Sequence, residues 1–307
     1  MPVYEEEKKL CRKIIAKEMP EEQILSIEPM KEGMTNDSFR VQLSSMMVVI
    51  RLNGKGSEQL VNRVHEANTY AALQGTGFSD EVLAINPVKG YKVTRFLEGY
   101  RVCRKFNHTD VSAAMLKLRQ MHEGKLCVPH EFNLWATLDE YYHLVADHEA
   151  FSVKKSSIKF VEVQQILQQV LSFRKILNQL PQSYGLTHID AVPDNFLLRG
   201  SDVRLIDWEY AGMCDQHVDL AMFAVYAGYS ESQLEFMLKC YFGEEVTPLI
   251  RLKLHIYLAY AGLLWGLWCV YKELQGIKMG PYAKQQWDFA RKYTLLVPKE
   301  LADRRGL

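Results

Sequence analysis

The sequence has no surplus of either charge. Its 307 residues include 37 lysines and arginines and 37 aspartates and glutamates, and the isoelectric point is about 7.1. Without a basic surplus, the composition gives no electrostatic reason to expect a nucleic acid or an anionic membrane as a partner. A neutral molecule or a compact cation is the ligand class that this balance leaves open.

Cysteine is scarce and scattered. The six cysteines include no C-x-x-C pair, and no Cys/His cluster has the spacing of a zinc finger. Unclustered thiols in a chain of this length fit a reducing compartment. The first ten residues, MPVYEEEKKL, lack the apolar segment of a secretory signal peptide. We therefore expect a cytoplasmic protein.

Long hydrophobic runs are also rare, with one exception at Leu254–Tyr271, LHIYLAYAGLLWGLWCVY. The run is long enough to span a bilayer. It also contains His255, two glycines and several tyrosine hydroxyls, and a helix that is apolar on all sides is normally buried in a larger protein. We predict a buried core helix and no membrane partner; a membrane scaffold is the alternative, and fractionation of the expressed protein would distinguish the two.

The first third of the chain is rich in predicted strands. Charged and apolar residues alternate over residues 1–19 as in a surface helix, and residues 62–73 predict a second helix. Ser44-Ser45 predicts a tight turn within a hairpin. Short β-type runs occur at Ile24–Ile27, Phe39–Leu43, Met46–Leu52, Val82–Ile85 and Tyr91–Phe96.

After Gly99 the pattern becomes mostly helical. A helix begins near Thr109 or Asp110, either of which would cap it. Residues 203–206 predict a short strand. The predicted helices cover 110–122, most of 135–180 with a polar interruption at 154–157, and the chain from 215 onward with breaks at Gly228, Gly243 and 276–280. Strands segregated from helices indicate an α+β fold, and we expect the chain to divide at residues 1–97 and 98–307.

Chemistry-bearing residues are concentrated in two segments of the second part. The first is His188–Asn195, HIDAVPDN, in which Asp190 and Asn195 stand five positions apart, as in the protein-kinase loop H-R-D-L-x-x-x-N. The second is LIDWEY, which places Asp207 and Glu209 just after the predicted strand at 203–206. The two segments together are far more specific than either one alone.

Phosphoryl transfer explains these residue types. The reaction needs a carboxylate to orient or deprotonate the attacking hydroxyl, and oxygen ligands to hold Mg²⁺ against the phosphates. We predict Asp190 as the base and Asn195 and Asp207 as metal ligands. Glu209 would reach a second metal or a metal-bound water.

The two segments resemble those of the choline/ethanolamine kinase family, within the aminoglycoside phosphotransferase superfamily. The resemblance extends from about Lys31 to Tyr293. LIDWEY is more similar to the I-D-F-E-Y of choline kinases than to the aminoglycoside branch, and the chain looks most similar to the bacterial choline kinases. It implies a bilobal protein-kinase-like fold, with a small antiparallel-sheet lobe and a large, mostly helical lobe. It also implies an enzyme, a phosphotransferase with an alcohol acceptor, that uses ATP and Mg²⁺.

The nucleotide site is expected in the first lobe. The turn at Glu32–Phe39 resembles the shortened phosphate loop of the family, and Thr35, Asn36 and Ser38 would contact the phosphates. Arg51 stands where protein kinases carry the lysine of V-A-I-K. Arginine keeps the positive charge, and its guanidinium group binds phosphate bidentately, through two N–H groups.

Two further parts complete the predicted nucleotide site. Glu66, on the helix at 62–73, would pair with Arg51 as glutamate pairs with lysine in kinases. By resemblance, Arg95, Phe96 and Leu97 form the hinge, whose backbone meets the adenine.

The acceptor site is expected among the aromatic residues near the C-terminus. Nine aromatic residues lie between positions 254 and 293, and Trp265 and Trp268 share a helix face. A trimethylammonium group donates no hydrogen bonds, so aromatic rings recognise it through cation–π attraction. By resemblance, the W-G-L-W run lines such a cage, with Tyr210 and Tyr282.

One departure from the family concerns a helix after LIDWEY. Eukaryotic choline kinases carry an acidic residue there, whereas this chain has Ala224-Val225-Tyr226. We expect Tyr226 and Tyr229 to extend the cage instead.

Choline is the expected acceptor, and ethanolamine, thiamine or an aminoglycoside is the alternative within the same reaction class. An aminoglycoside needs several carboxylates, and the C-terminal region offers few. A pseudokinase binding module is the alternative from a different class. It would require the loss of a catalytic residue, but Asp190, Asn195 and Asp207 are all present. No pattern in the sequence predicts the oligomeric state.

Overall fold

The computed structural model describes residues 4–30, 36–53, 61–148 and 158–305. It is an α+β structure in which an N-terminal antiparallel sheet precedes a larger helical part. The sheet has five strands in the order β1-β2-β3-β5-β4. These elements are α1 (Glu5–Glu18), β1 (Ile24–Met30), β2 (Asn36–Leu43), β3 (Met47–Asn53), α2 (Arg63–Leu73), β4 (Val82–Asn86) and β5 (Tyr91–Arg95).

Alternating apolar residues on β2 and β3 build the core of this sheet. Phe39 and Val41 on β2, and Val48 and Ile50 on β3, are fully buried, because alternate side chains of a strand point to the same face. Phe39 pairs with Ile50 across the two strands. Helix α1 covers this face with Cys11, Ile14 and Ile15.

Helix α2 connects the sheet with the larger part of the protein. Asn62 caps its start by accepting hydrogen bonds from the backbone N–H groups of Val64 and His65. Tyr70 and Leu73 of this helix pack into the large core of the helical part. The helix therefore ties the sheet to the second core, and the predicted boundary between residues 97 and 98 stays a prediction.

Helices dominate the rest of the chain, with two small antiparallel sheets among them. One sheet has the order β6-β8-β9 and the other pairs β7 with β10. The helices are α3 (His108–Glu123), α4 (Leu134–Ala146), α5 (Phe160–Leu177), α6 (His217–Ala227), α7 (Glu231–Phe242), α8 (Pro248–Leu274) and α9 (Pro281–Arg305). The strands are β6 (Arg101–Val102), β7 (Tyr184–Thr187), β8 (Phe196–Arg199), β9 (Asp202–Leu205) and β10 (Gly212–Asp215).

The long apolar helix α8 lies in the core. In the described residues it is the one helix that is long and apolar enough to cross a membrane, and 89% of its most apolar window is buried. Gly262 and Gly266 allow α9 to pack closely against it. A Cβ atom on Gly262 would lie 2.6 Å from the backbone nitrogen of Ala290, and one on Gly266 would lie 2.8 Å from the Trp287 ring.

The structure confirms the helix breaks at Gly228, Gly243 and 276–280 and corrects the cap of α3. Asn107, not Thr109 or Asp110, caps this helix by accepting a hydrogen bond from the Asp110 backbone. The Asp110 carboxylate is occupied by Arg101 and Arg104. The predicted interruption at 154–157 lies outside the described residues.

Candidate active site

The loop His188–Asn195 connects β7 to β8, and a carboxylate from helix α6 holds it. Asp219, in the first turn of α6, accepts hydrogen bonds from the backbone N–H groups of His188 at 2.9 Å and Ile189 at 2.7 Å. Ile189 has a φ of 70°, a left-handed conformation that is costly for a β-branched residue. The two bonds to Asp219 stabilise this conformation. Sequence reasoning missed Asp219 because it lies outside both motifs.

Asp190 and Asn195 face each other within the loop. The Asn195 Nδ2 atom donates to the Asp190 backbone oxygen at 2.8 Å and to its Oδ2 atom at 3.1 Å. Burial raises the pKa of Asp190 well above its usual value, and the nearby charges of Asp207 and Glu209 raise it further. A carboxylate with a raised pKa holds a proton more readily, as a base for a hydroxyl must.

Asp207 lies beside this pair, just beyond β9. The Ile206 backbone N–H donates to the Asn195 backbone oxygen at 2.9 Å, which joins the two motif loops. Asp207 has a φ of 64°, so its backbone is also left-handed. Its Oδ1 atom accepts a hydrogen bond from Arg51 Nη1 at 2.7 Å, and its side chain is 31% exposed.

Arg51 and Glu66 form the predicted pair, and the structure shows that it is buried. Both Glu66 oxygens accept hydrogen bonds from Arg51 Nη2. Lys92 Nζ lies 3.1 Å from Glu66. Burial alone would raise the pKa of Glu66, but the charges of Lys92, Arg51 and Arg63 lower it to about 2. The carboxylate therefore stays ionised inside the protein.

Glu209 is buried in the same network. Its Oε2 atom accepts hydrogen bonds from Arg63 at 2.9 Å, Asn36 at 3.0 Å and Arg51 at 3.3 Å. Arg63 Nη2 also donates to the Asn36 oxygen at 3.1 Å. The network thus holds the predicted phosphate-loop residue Asn36 beside the metal-ligand candidates. Arg63 was missed because it stands at the start of α2, where an arginine resembles an ordinary surface residue.

The other predicted nucleotide residues have different positions. Ser38 pairs with Arg51 across β2 and β3, so it lies beside the charged network. Thr35 lies outside the described residues. The Phe96 backbone N–H donates to the Met47 backbone oxygen at 2.9 Å. Arg95 is exposed and its side chain binds Glu81 at 2.6 Å, so its backbone alone would serve a hinge.

Half-buried Leu97 follows Phe96 in the segment between β5 and β6. Nothing in its contacts identifies a nucleotide, and its place in the hinge stays a prediction.

Three tyrosines lie within electrostatic reach of Asp190. The Tyr226 hydroxyl donates to Asp194, and the Tyr226 ring meets Tyr282 edge-on at 5.7 Å between centroids. Burial raises the pKa of Tyr282, and the charge of Asp190 contributes to that rise. Burial also raises the pKa of Tyr210, and the charge of Asp190 adds to that rise.

Tyr141 on α4 belongs to the same set, although sequence reasoning missed it. Burial first, and then the charges of Glu209 and Asp190, raise the pKa of its hydroxyl. A hydrogen bond with Tyr210 opposes this rise. A tyrosine on an amphipathic helix gives no signal in the sequence that separates it from core packing.

The two tryptophans of W-G-L-W are in contact on α8. Their ring centroids lie 6.0 Å apart at 89°. The Trp265 Nε1 atom donates to the sulfur of Met222 at 3.2 Å, one turn before Tyr226 on α6. Trp268 is only 4% exposed, and Lys272 Nζ lies 5.6 Å from its ring centroid.

Tyr229 is placed away from these rings. Its hydroxyl donates to the Lys105 backbone oxygen at 2.6 Å, and its ring packs against Phe106 and Phe223. The structure brings it to the 105–106 loop, and its place in an acceptor cage stays a prediction.

The donor set suits Mg²⁺. Among the described residues, no three His, Cys, Asp or Glu side chains are grouped to hold a metal. Mg²⁺ does not need such a group, because it takes one or two protein oxygens together with water and substrate phosphates. The Asp207 carboxylate fits this need. So does the amide oxygen of Asn195, whose nitrogen is directed at Asp190.

Comparison with known proteins identifies a family and several relatives. Residues 27–241 match the family model for choline/ethanolamine kinase. The chain is 26% identical to protein LicA of Haemophilus influenzae, over 86% of this chain and 100% of that one. It is 25% identical to human ethanolamine kinase 1, over 81% of this chain and 62% of that one.

Solved structures share the fold. The crystal structure of choline kinase LicA from Streptococcus pneumoniae superposes with a TM-score of 0.79 at 25% identity, covering 94% of this chain and 99% of that one. The aminoglycoside phosphotransferase APH(4)-Ia superposes with a TM-score of 0.64 at 12% identity, covering 94% and 98%. At that identity the likeness concerns the fold alone.

Proposed function

The chain belongs to the choline/ethanolamine kinase family, and we propose that it transfers the γ-phosphoryl group of ATP to the hydroxyl of choline, giving phosphocholine and ADP. One observation carries the reaction type. Asp190, Asn195 and Asp207 come together from two loops, with Arg51 directed at Asp207. A base, metal ligands and a phosphate-binding cation therefore meet at one point.

In this proposal each residue has a separate task. Asp190 accepts the proton of the acceptor hydroxyl, and its raised pKa suits that role. Arg51 binds the phosphates, held in place by buried Glu66. Asn195 and Asp207 would hold Mg²⁺, which neutralises charge on the phosphates when bound. The Oε2 atom of Glu209 accepts from three donors, and we propose that Glu209 reaches a second metal or a metal-bound water.

Aromatic rings support choline as the acceptor. Tyr226 and Tyr282 meet edge-on, and the charge of Asp190 acts on both and on Tyr210. Trp265 contacts Met222, one turn before Tyr226 on α6. Rings of this kind attract a quaternary ammonium group without hydrogen bonds. The similarity to choline kinase LicA supports the same choice.

Ethanolamine is the second candidate, and a specific observation favours it. The Tyr226 hydroxyl and the Asp194 carboxylate offer hydrogen-bonding groups beside the rings, which a primary ammonium uses and a trimethylammonium does not. Thiamine and aminoglycosides have no such support among the contacts described above.

We also propose a cytoplasmic location and a lobe boundary near residues 97 and 98. All six cysteines are unpaired, as expected in a reducing compartment, and the apolar helix α8 is occupied by core contacts.

An ATP-consumption screen tests the function. Purified protein would be assayed with choline, ethanolamine, thiamine and kanamycin, each with Mg²⁺ and with EDTA. We expect the highest kcat/KM with choline and no turnover in EDTA. A higher kcat/KM with ethanolamine would replace choline as the acceptor, and no turnover with any of the four would contradict the proposal.

A further inference from the structure

Asp194 is an exposed carboxylate next to the proposed catalytic residues, and the proposed transfer to choline gives it no task. It lies in the one-turn 3₁₀ helix Pro193–Asn195, between the base Asp190 and the metal-ligand candidate Asn195. The side chains of Asp194 and Asn195 point in different directions. The Asn195 amide points back to Asp190, whereas the Asp194 carboxylate accepts a hydrogen bond from Tyr226 on helix α6.

A chain of contacts connects Asp194 with the acceptor side of Asp190. Tyr226 meets Tyr282 edge-on at 5.7 Å. Burial raises the pKa of Tyr282, and the charges of both Asp190 and Asp194 add to that rise. Tyr282 therefore stands within the field of both carboxylates, and Asp194 contacts the aromatic patch formed by Tyr226 and Tyr282 through its hydrogen bond with Tyr226.

We propose that Asp194 is a specificity-determining residue whose carboxylate attracts the cationic group of the acceptor. The inference rests on the proposed function, because it takes the acceptor hydroxyl to lie at Asp190. Only two carbon atoms separate the hydroxyl from the nitrogen in choline and in ethanolamine. A hydroxyl at Asp190 thus places the cation beside Tyr226 and Tyr282, near the Asp194 charge.

A lysine of the chain itself lies near the Tyr226 ring, which makes the negative charge of Asp194 more important for binding a cation. Lys105 Nζ lies 5.9 Å from the centroid of the Tyr226 ring, and the Tyr229 hydroxyl holds the Lys105 backbone oxygen at 2.6 Å. An ammonium at this distance opposes the entry of a second cation. Asp194 offsets that repulsion, so the rings are able to accept a charged acceptor.

The variant Asp194→Asn tests the proposal with a charged acceptor and a neutral one of the same shape. Choline is compared with 3,3-dimethylbutan-1-ol, in which a carbon replaces the nitrogen. Because Asp194 is solvent-exposed, we expect its loss to raise the choline KM by about fivefold and to leave the KM for the neutral alcohol and for ATP unchanged. Asp288→Asn, an exposed carboxylate on α9, removes the same charge elsewhere and should leave all three values unchanged.

Two results would overturn the inference: a choline KM in Asp194→Asn equal to that in Asp288→Asn, or an equal rise for choline and the neutral alcohol. Melting temperatures of both variants, compared with the wild type, show whether folding contributes. The wild-type protein separates this inference from the proposed function. If wild type turns over choline while Asp194→Asn has an unchanged KM, Asp194 has no such role and the kinase activity stands. If wild type turns over no cationic alcohol, the proposed function itself fails.

Discussion

The two regions that flank the loop His188–Asn195 differ in the kinds of side chain they contain. On the nucleotide side, Arg51 and Arg63 alternate with Glu66 and Glu209, and all four side chains are less than 10% exposed. On the proposed acceptor side, the Tyr226 and Tyr282 rings meet edge-on, and the Tyr226 hydroxyl donates to the exposed carboxylate of Asp194.

The difference follows from what each side is proposed to bind. A triphosphate carries concentrated charge, and it is bound best by cations whose positions are already fixed by buried carboxylates. A quaternary ammonium carries diffuse charge and makes no hydrogen bonds, so rings are enough. ATP binding should therefore be sensitive to a change in side-chain geometry that keeps the charge. Choline binding should instead be sensitive to the loss of an aromatic ring.

The largest effect is expected where the two sides meet. Asp190→Asn removes the base but keeps the size of the side chain, and loss of a general base costs on the order of 10²–10⁴-fold in rate. Steady-state kinetics should show this fall in kcat, while calorimetry shows Mg·ATP binding retained. Activity within about threefold of the wild type would remove Asp190 from the role of base.

The nucleotide side should also govern stability in acid. The folded-state pKa of Glu66 is about 2, below its ordinary value of 4.5. The contribution of the ionised Glu66 carboxylate to the free energy of unfolding is therefore complete above about pH 4.5 and is lost as the pH falls towards 2. Between pH 5 and 3, the wild type should lose about 2 kcal/mol more unfolding free energy than Glu66→Gln. Urea unfolding at several pH values measures this difference. Parallel pH profiles for the two proteins would contradict it, and Asp288→Asn serves as the exposed-carboxylate control.

A ring on the acceptor side should matter for one substrate only. Trp268→Leu keeps apolar volume but deletes the π-face. If Trp268 is a wall of the cage, the choline KM should rise by up to about thirtyfold, with the ATP KM unchanged. Core packing predicts a lower melting temperature with both KM values unchanged, and this result would assign Trp268 to the core instead.

The smallest of these effects tests geometry at constant charge. Arg51→Lys keeps the positive charge but loses the planar fork that reaches Glu66 and Asp207 together. The ATP KM should rise about tenfold, and the choline KM should change by less than twofold. Arg95→Lys, in an exposed ion pair with Glu81, is the matched control. An ATP KM that is equal in both variants would show that the fork is not needed.

The sequence predicted the fold well because its signals were local. Alternation on β2 and β3 and the glycine breaks between the late helices each act within a few residues. The two short motifs lie on adjacent loops, which the hydrogen bond between Ile206 and Asn195 joins, and the roles of Asp190, Asn195 and Asp207 stay predictions. The N-cap of α3 was wrong because three capping-type residues follow one another closely, and only the backbone geometry selects Asn107.

Long-range partners could not be predicted in the same way. Arg63, Tyr141 and Asp219 join the site from α2, α4 and α6, and each stands in a segment whose own pattern is that of an ordinary helix. Lys105 likewise meets the Tyr226 ring only after the chain has folded. Such contacts depend on tertiary packing, which a single sequence does not show.

The anchoring of the catalytic loop by Asp219 has a consequence for incomplete chains. A polypeptide that ended after Tyr210 would contain every residue of both motifs, yet it would lack the carboxylate that fixes the backbone of His188 and Ile189. Without it, the left-handed turn at Ile189 loses its compensation. A chain that contains both motifs therefore does not yet have a correctly fixed loop. This protein acquires that loop conformation only when helix α6 has been synthesised and packed.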